Sequence, residues 1–103
     1  MVYNFGTQDS ASVLRVQGEL DASSVLDLRP TIGKIVDERP RLLFVDLSDL
    51  RLIDSTGVGA IVALYKAVRS YNGSMAVLGA REQPLAMFRI LNLDRVLMGQ
   101  AAH

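Results

Sequence analysis

Six consecutive residues, Asp54-Ser55-Thr56-Gly57-Val58-Gly59, have the composition of an anion site at the start of a helix. Apolar residues recur at helical spacing from Val58 to Val68, whereas the preceding residues, Leu50 to Ile53, carry no helix signal. The hexapeptide is therefore predicted to be a loop-to-helix junction. The free amides and the positive dipole end of a helix N-terminus favour a phosphate, either on a bound ligand or attached to Ser55 itself.

A bound nucleotide or a catalytic serine would need residues that the chain lacks. The pattern G-x-x-x-x-G-K-[ST] is absent, and Val62 stands in place of the third glycine of a dinucleotide fingerprint. The hydrolase pattern G-x-S-x-G is broken by Ile53, and Ser55 has no lysine neighbour and no histidine except His103 at the C-terminus. We therefore expect no cofactor and no enzymatic activity. A small phosphoester-binding enzyme that uses Ser55 and nearby aspartates is an alternative from a different class.

Aspartates are the side chains that could in principle collect a metal ion, namely Asp21, Asp46, Asp49 and Asp54. Magnesium is usually held by one or two carboxylates together with water or phosphate. Aspartates at strand ends and helix starts are, however, ordinary caps and turn residues. This simpler interpretation is favoured, and no metal is expected.

A low-profile face is predicted on the helix that follows the hexapeptide. At about 100° per residue, short side chains follow one another along it; they are Ser55, Gly59 and Ala63, joined by Lys66 and flanked by Thr56, Ala60 and Ala67. The apolar side of the helix comprises Val58, Ile61, Tyr65 and Val68. A helical glycine costs about 1 kcal/mol relative to alanine, so Gly59 indicates either close approach of another surface or an eased turn. Gly57 lies nearly opposite and is expected to permit close packing on the sheet.

Phosphorylation of Ser55 would place a charge at one end of this face. A phosphate adds about 1.5 to 2 negative charges, which a helix N-terminus tolerates, although Asp54 and Asp21 would oppose it. A partner fitted to a small, uncharged serine would instead lose affinity, because an uncompensated charge would be buried in the interface. We therefore expect phosphorylation at Ser55 to switch partner binding off.

The bulk composition limits the classes of partner. The 103 residues include 11 basic and 11 acidic side chains, so no net positive field favours nucleic acid or anionic lipid. No cysteine is present, and the longest apolar run, Gly57 to Tyr65, is far shorter than the roughly 20 residues of a membrane helix. Met1 to Gly6 lack the basic and apolar stretches of a signal peptide, so none is expected. We expect a single cytoplasmic domain over residues 1–103 that binds neither nucleic acid nor membrane.

Two strands and a helix are predicted in the first part of the chain. Val2 to Phe5 and the alternating stretch Ser12 to Gly18 are expected to form an antiparallel hairpin joined by a short polar link. Ser23 or Ser24 is expected to cap a first helix. The apolar stripe of this helix comprises Val25, Leu28, Ile32, Ile35 and Val36. Pro30 predicts either a kink or a helix that starts near Pro30 itself.

The second part of the chain alternates strands with helices. Leu42 to Val45 is uniformly apolar, which predicts a central strand covered by helices on both faces. The second helix is expected to run to about Tyr71 and to stop at Asn72-Gly73. The remaining predicted elements are a strand from Met75 to Leu78, a loop from Gly79 to Gln83, a helix from Pro84 to Leu91 and a last short strand from Val96 to Met98.

Together these elements predict an α/β fold. It has a mixed sheet of four to five strands, built from an N-terminal hairpin and parallel crossovers, and about three helices. Binding sites in such sheets lie beyond the carboxyl ends of the strands. The Asp54 junction and the segment Glu19-Leu20-Asp21 are therefore expected to share one rim of the molecule.

Three segments in this order and spacing resemble the anti-sigma factor antagonists, which belong to the STAS family (sulfate transporter and anti-sigma factor antagonist). They are Gly18-Glu19-Leu20-Asp21, Phe44-Val45-Asp46-Leu47-Ser48-Asp49-Leu50 and the hexapeptide from Asp54 to Gly59. The resemblance extends from Val13 to about Met98 and implies a single STAS domain. Many family members continue into a further C-terminal helix, whereas this sequence stops at His103.

The resemblance also implies a mechanism. The serine after the aspartate, Ser55 here, would be phosphorylated by a cognate anti-sigma factor that is a serine kinase, and a serine/threonine phosphatase of the PP2C type would reverse this. The unphosphorylated protein would bind the anti-sigma factor and release a sigma factor, with Asp21 contributing to the kinase contact. The expected partner-binding residues are Asp21, Asp54, Ser55, Thr56, Gly57, Gly59, Ala63 and Lys66. The alternative is a STAS scaffold or transport-associated domain that does not switch.

Overall fold

The computed structural model describes residues 2–8 and 11–99 as five strands, three α-helices and a π-helical segment. In chain order these are β1 (Val2–Gln8), β2 (Ala11–Leu20), α1 (Ala22–Glu38), β3 (Leu42–Asp46), β4 (Leu50–Ile53), α2 (Ser55–Ser70), β5 (Ser74–Leu78), α3 (Glu82–Ile90) and the π-helical segment Arg95–Gly99. The predicted hairpin link at residues 9 and 10 and the C-terminal His103 lie outside the described residues.

The sheet is mixed, as predicted. β1 pairs antiparallel with β2, whereas β3 pairs parallel with both β2 and β5, which gives the order β1-β2-β3-β5. β4 is parallel to the other end of β2. The two pairings of β2 separate at Gly18, where the register shifts and φ is 88°, a left-handed value that glycine adopts without strain. The predicted α/β class, with up to five strands and three helices, is confirmed.

β4 is not among the predicted strands, since Leu50 to Ile53 was noted only for its lack of a helix signal. Its two ends are buried, while Arg51 and Leu52 between them are exposed. This pattern has neither the alternation of a half-buried strand nor the uniform burial of a central one. Pairing of Gly18 to Leu20 with this segment supplies the backbone hydrogen bonds that make it a strand.

The core lies on one face of the sheet, between β2, β3 and β5 and the apolar sides of α1 and α2. On β3, Leu43 and Val45 are fully buried, whereas Leu42 is exposed and Phe44 is half-buried. The expectation that helices cover both faces of this strand is therefore wrong. On the face of the sheet without helices, Phe44 lies between Val13 and Ala76 of the neighbouring strands. These apolar neighbours explain why β3 has apolar residues on both faces.

α1 starts earlier than predicted and is not interrupted. Asp21 is the N-cap residue, and Ser24 completes a capping box with it, so neither Ser23 nor Ser24 is the cap. The helix continues through Pro30, which is exposed. Proline removes the bond to the carbonyl four residues earlier, that of Leu26, and Leu26 is itself on the exposed side, where water is available.

The end of α2 agrees with the prediction, for two separate reasons. α2 ends at Ser70, and Asn72 takes the left-handed conformation with φ of 67°. Gly73 is buried, and a Cβ atom there would lie 2.9 Å from Cγ1 of Val68 and 3.0 Å from the Pro40 carbonyl oxygen. Asn72 thus makes the turn, and Gly73 permits the close approach that follows it.

The C-terminal third departs from the prediction at two places. α3 begins at Glu82, so Pro84 is its third residue instead of its first. The first four amides of a helix have no partner within it, which is why proline is accepted there too. The prediction of a strand from Val96 to Met98 is wrong, because these residues belong to the π-helical segment Arg95–Gly99. The amide of Leu97 donates to the Leu93 carbonyl before the segment at 2.9 Å.

Candidate functional site

The hexapeptide forms a direct strand-to-helix junction. β4 ends at Ile53, Asp54 is extended with φ of −106° and ψ of −177°, and α2 begins at Ser55. Asp54 Oδ1 accepts a hydrogen bond from the Gly57 amide at 2.9 Å, which caps the helix. Ser55 is therefore the first residue of the helix. Its side chain is exposed, and its hydroxyl makes no hydrogen bond to the other described residues.

The two acidic segments meet at one rim, as expected. The Asp54 amide donates to the Leu20 carbonyl at 3.1 Å, and Asp54 Oδ2 accepts from the Ala22 amide at 3.3 Å. These bonds join the end of β2 to the start of α2. The residues around them line a shallow depression of about 220 Å³, formed by Glu19, Leu20, Asp21, Leu52, Ile53, Asp54 and Gln83.

The carboxylate of Asp21 is held in its charged form. Hydrogen bonds from the backbone amide of Ser24, and then from its hydroxyl, lower the pKa of Asp21. The rim thus presents at least two acidic groups close to Ser55. Within residues 2–8 and 11–99, no group of three or more acidic, histidine or cysteine side chains has an arrangement that could hold a metal ion.

The other two candidate aspartates lie elsewhere. Asp46, at the end of β3, accepts from Arg15 at 3.1 Å and from the Ser48 hydroxyl at 2.6 Å. Burial alone would raise the pKa of Asp46, but its bonds with Ser48 and Arg15 together lower it. Asp49 accepts from Gln17 at 3.3 Å. The structure therefore divides the four aspartates into a pair at the junction and two that take part in other contacts.

Gly57 is required by packing. It is buried, and a Cβ atom there would lie 2.5 Å from the Leu20 carbonyl oxygen and 2.8 Å from Cγ1 of Ile53. The predicted close packing of Gly57 on the sheet is confirmed. This glycine consequently contributes to the site by bringing α2 close to β2, and its side of the helix is not available to a partner.

The low-profile face of α2 is open to solvent. The exposed residues along it are Ser55, Thr56, Gly59, Ala63 and Lys66. No atom outside the helix lies within 4 Å of a Cβ placed on Gly59, so the space above this glycine is free. The structure thus places the predicted face on the surface, and its use as a binding face stays a prediction.

The sequence did not indicate that α1 forms the second wall of this surface. α1 and α2 enclose an open groove of about 400 Å³, lined by Val25, Arg29, Ile32, Thr56, Gly59, Ala60 and Ala63. Within the described chain no carboxylate lies within 4 Å of the Arg29 guanidinium. The four-residue step from Val25 to Arg29, on the helix's apolar stripe, is the signal that could have placed this cation beside α2.

This fold is that of a known family. The STAS domain model matches residues 3–102, and the chain belongs to the STAS domain family. An anti-sigma-B factor antagonist of Staphylococcus aureus is 30% identical over 91 residues, which cover 88% of this chain and 84% of that protein. A similar protein from Staphylococcus epidermidis, also an anti-sigma-B factor antagonist, matches to the same extent.

Solved structures agree with this assignment. An anti-sigma factor antagonist from Mycobacterium paratuberculosis is 25% identical and superposes with a TM-score of 0.84, covering 93% of this chain and 81% of its own. The anti-sigma factor antagonist SpoIIAA in its unphosphorylated form is 19% identical, with a TM-score of 0.71 over 88% of this chain and 82% of its own, and shares the fold. Among the described helices, none is long and apolar enough to span a bilayer.

Proposed function

We propose that this protein is an anti-sigma factor antagonist that is controlled by phosphorylation of Ser55. The unphosphorylated form binds a cognate kinase-type anti-sigma factor and thereby releases a sigma factor. Phosphorylation by that anti-sigma factor ends the binding, and a serine/threonine phosphatase of the PP2C type restores it. The protein itself is a non-enzymatic, cytoplasmic partner in this exchange, formed by one STAS domain over residues 1–103.

The position of Ser55 carries the proposal. An exposed hydroxyl at the first position of a helix, with no hydrogen bond to the other described residues, is accessible to a kinase. The helix N-terminus favours the added phosphate, while Asp54 caps the helix through the Gly57 amide and does not use the Ser55 hydroxyl. The domain can therefore accept the modification and remain folded.

The surrounding surface supports docking of a protein partner. Gly59 and Ala63 give α2 a flat face, and the cationic side chain of Arg29 is part of the lining of the groove beside it. Asp21 and Asp54 provide negative charge on the adjacent rim. The full set proposed for partner binding is Asp21, Asp54, Ser55, Thr56, Gly57, Gly59, Ala63 and Lys66, with Gly57 acting through the placement of α2.

A kinase assay tests the proposal. The purified protein is incubated with a histidine-kinase-like anti-sigma factor and ATP, and the phosphorylated residue is located by mass spectrometry. We expect phosphate on Ser55, loss of it in Ser55→Ala, and its retention in the matched variant Thr56→Ala. Binding of the same anti-sigma factor is then measured before and after phosphorylation.

The outcomes separate the alternatives. Binding that is equally tight with and without phosphate would contradict the switch and indicate a constitutive scaffold or transport-associated domain. Turnover of a phosphoester by the protein alone would indicate an enzyme. Phosphate on Thr56 with an unmodified Ser55 would show that the acceptor has been misassigned.

A further inference from the structure

The side chain of Gln83 bonds to the strand that leads into the phosphoacceptor. We propose that Gln83 is a positioning residue of the switch: its amide closes the free edge of β4 and holds Asp54 and Ser55 in place. The functional part of this inference rests on the proposed phosphorylation of Ser55. The structural part does not depend on it.

Gln83 bonds to both backbone groups of one residue. Its Nε2 donates to the Ile53 carbonyl at 3.0 Å, and its Oε1 accepts from the Ile53 amide at 2.9 Å. A side-chain amide has the same donor and acceptor as a peptide group, so Gln83 stands where a neighbouring strand would supply one residue. Gln83 is half-buried, whereas Glu82 before it is exposed.

β4 needs such a partner because it is an edge strand. Its pairing is with β2 alone, and the next backbone group, the Asp54 amide, donates toward β2 at the Leu20 carbonyl. Successive residues of a strand direct their backbone groups to opposite sides, so those of Ile53 point away from β2. Ile53 is buried, and without Gln83 its amide and carbonyl would lose their partner.

We call the two hydrogen bonds between Gln83 and Ile53 the clamp. The position of Ile53 connects this clamp to the site. Ile53 directly precedes Asp54, whose carboxylate caps α2 and whose backbone joins β2. β2 therefore holds the junction on one side and α3 holds it on the other through Gln83. The bonds between Gln83 and Ile53 also stabilise α3. The N-cap residue of this helix, Arg81, makes no side-chain capping bond, and Gln83 anchors the start of the helix to β4.

Amide hydrogen exchange measured by NMR tests the clamp. Gln83→Met keeps the length of the side chain and removes both bonds. We expect exchange to become about tenfold faster at the amides of Ile53, Asp54 and Gly57, while Val77 in β5 is unchanged. The matched control is Gln17→Met, which removes an amide bonded to Asp49 away from the junction. Uniform acceleration, or acceleration at Ile53 alone, would overturn the positioning role.

A second variant, Gln83→Glu, gives a readout that loss of packing cannot produce. A protonated carboxyl group offers one donor and one acceptor, as the amide does, whereas a carboxylate has no donor and would face the Ile53 carbonyl oxygen. The other charged groups near it are Glu19, Asp21 and Asp54 around the depression, Arg51 paired with Glu19, and Arg81 and Glu82 on its own helix.

The pH dependence should therefore differ between the two variants. At pH 7 both should leave Ile53 poorly protected. On acidification, as the new carboxyl group takes up its proton, protection of Ile53 should return in Gln83→Glu and stay absent in Gln83→Met. The same pH profile of protection in both variants would overturn the clamp.

The functional arm measures phosphorylation of Ser55 by the anti-sigma factor used above. We expect a several-fold slower rate in Gln83→Met than in Gln17→Met. If exchange at the junction accelerates while this rate is unchanged, the positioning role is wrong and the switch stands. If wild-type Ser55 is never labelled while the exchange results hold, the proposed function is wrong and the structural clamp stands.

Discussion

The two long helices of this protein begin in the same way and differ in what their first turns leave exposed. α1 is capped by Asp21 and α2 by Asp54, and each carboxylate accepts from the third amide of its helix at 2.9 Å. In α1 that third residue is Ser24, which is buried and whose hydroxyl accepts a hydrogen bond from the Asp21 amide at 2.8 Å and lies 3.1 Å from the Glu19 carbonyl oxygen. In α2 it is Gly57, and the serine is instead at the first position, where it is exposed.

The position of a serine within the first turn of a helix therefore decides whether its hydroxyl takes part in the cap or is exposed to solvent. At the third position the hydroxyl faces the cap and completes a capping box, so Ser24 stabilises the fold and a kinase has no access to it. At the first position it points to solvent, and the cap is made without it. The first turn of α2 is thus capped without its serine, which stays accessible for modification. The serine in the first turn of α1 is instead part of the cap.

The largest expected effect follows from adding charge to the free serine. Ser55→Asp should weaken binding of the anti-sigma factor about a hundredfold or more, because a carboxylate would be buried in the interface. Its melting temperature should be unchanged or slightly higher, since a helix N-terminus favours an acidic residue. Isothermal titration calorimetry and a thermal melt measure the two quantities.

Asn72→Asp is the control for this prediction. It adds the same charge at the other end of α2, in a left-handed turn that aspartate tolerates. It should leave binding unchanged. Equal affinities of Ser55→Asp and wild type would show that the first-turn serine is not part of the interface.

The second-largest effect is expected when Gly57, the third residue of α2, is replaced by the serine that α1 has at this position. Gly57→Ser should lower the free energy of unfolding by about 1 to 3 kcal/mol, because its Cβ would lie 2.5 Å from the Leu20 carbonyl oxygen. The matched variant Gly59→Ala has free space and should raise it by up to about 1 kcal/mol. Urea denaturation of both checks this. A Gly57→Ser protein as stable as wild type would mean that the first turns are interchangeable.

A smaller effect is expected when each serine is removed. Ser24→Ala should lower the free energy of unfolding by about 1 to 2 kcal/mol, because the capping box is lost. Ser55→Ala should change the free energy of unfolding by less than about 0.5 kcal/mol, because Ser55 is exposed and its hydroxyl has no bonded partner among the described residues. Chemical denaturation at pH 7 measures both, and comparable losses would contradict the assignment of one serine to structure and the other to function.

The smallest effect concerns the charge of the α1 cap. The pKa of Asp21 is lowered in the folded state, so its contribution is complete above the unfolded value of about 4 and is lost as pH falls through the lower folded pKa. In Asp21→Asn a neutral acceptor remains, so the stability difference from wild type should shrink from pH 7 to pH 3. The contribution of Asp46 is common to both proteins and cancels. A difference that does not vary with pH would show that the Asp21 charge does not stabilise α1.

The main features of the site were predictable because they are local. The Asp54 cap, the exposed face of α2 and the packing role of Gly57 follow from helical spacing over a few residues. Sequence spacing does not determine which second element faces the same space. Arg29 and Gln83 reach the site through the packing of α1 and α3, and these contacts join residues about 30 positions apart.

The errors in the predicted secondary structure have related causes. β4 is a strand because β2 pairs with it, and four residues with an exposed centre give no period of their own. Val96 to Met98 is a short apolar run, which suits a strand as well as a helix, but the chain turns at Asn92, with φ of 58°, and continues as a helix. The cap of α1 was misplaced because Asp21, Ser23 and Ser24 all suit that role, and only backbone conformation distinguishes them.

The division of β2 at Gly18 between two partner strands also affects when the sheet can form during synthesis of the chain. β1, the hairpin partner of β2, precedes it in the chain, but the other partners of β2, β3 and β4, are completed only at Asp46 and Ile53. At about 5 to 20 residues per second, the far end of β2 waits roughly 2 to 7 s for β4. During that time its unpaired edge could join another nascent chain, and the charged Arg15 and Glu19 within the strand act against such aggregation.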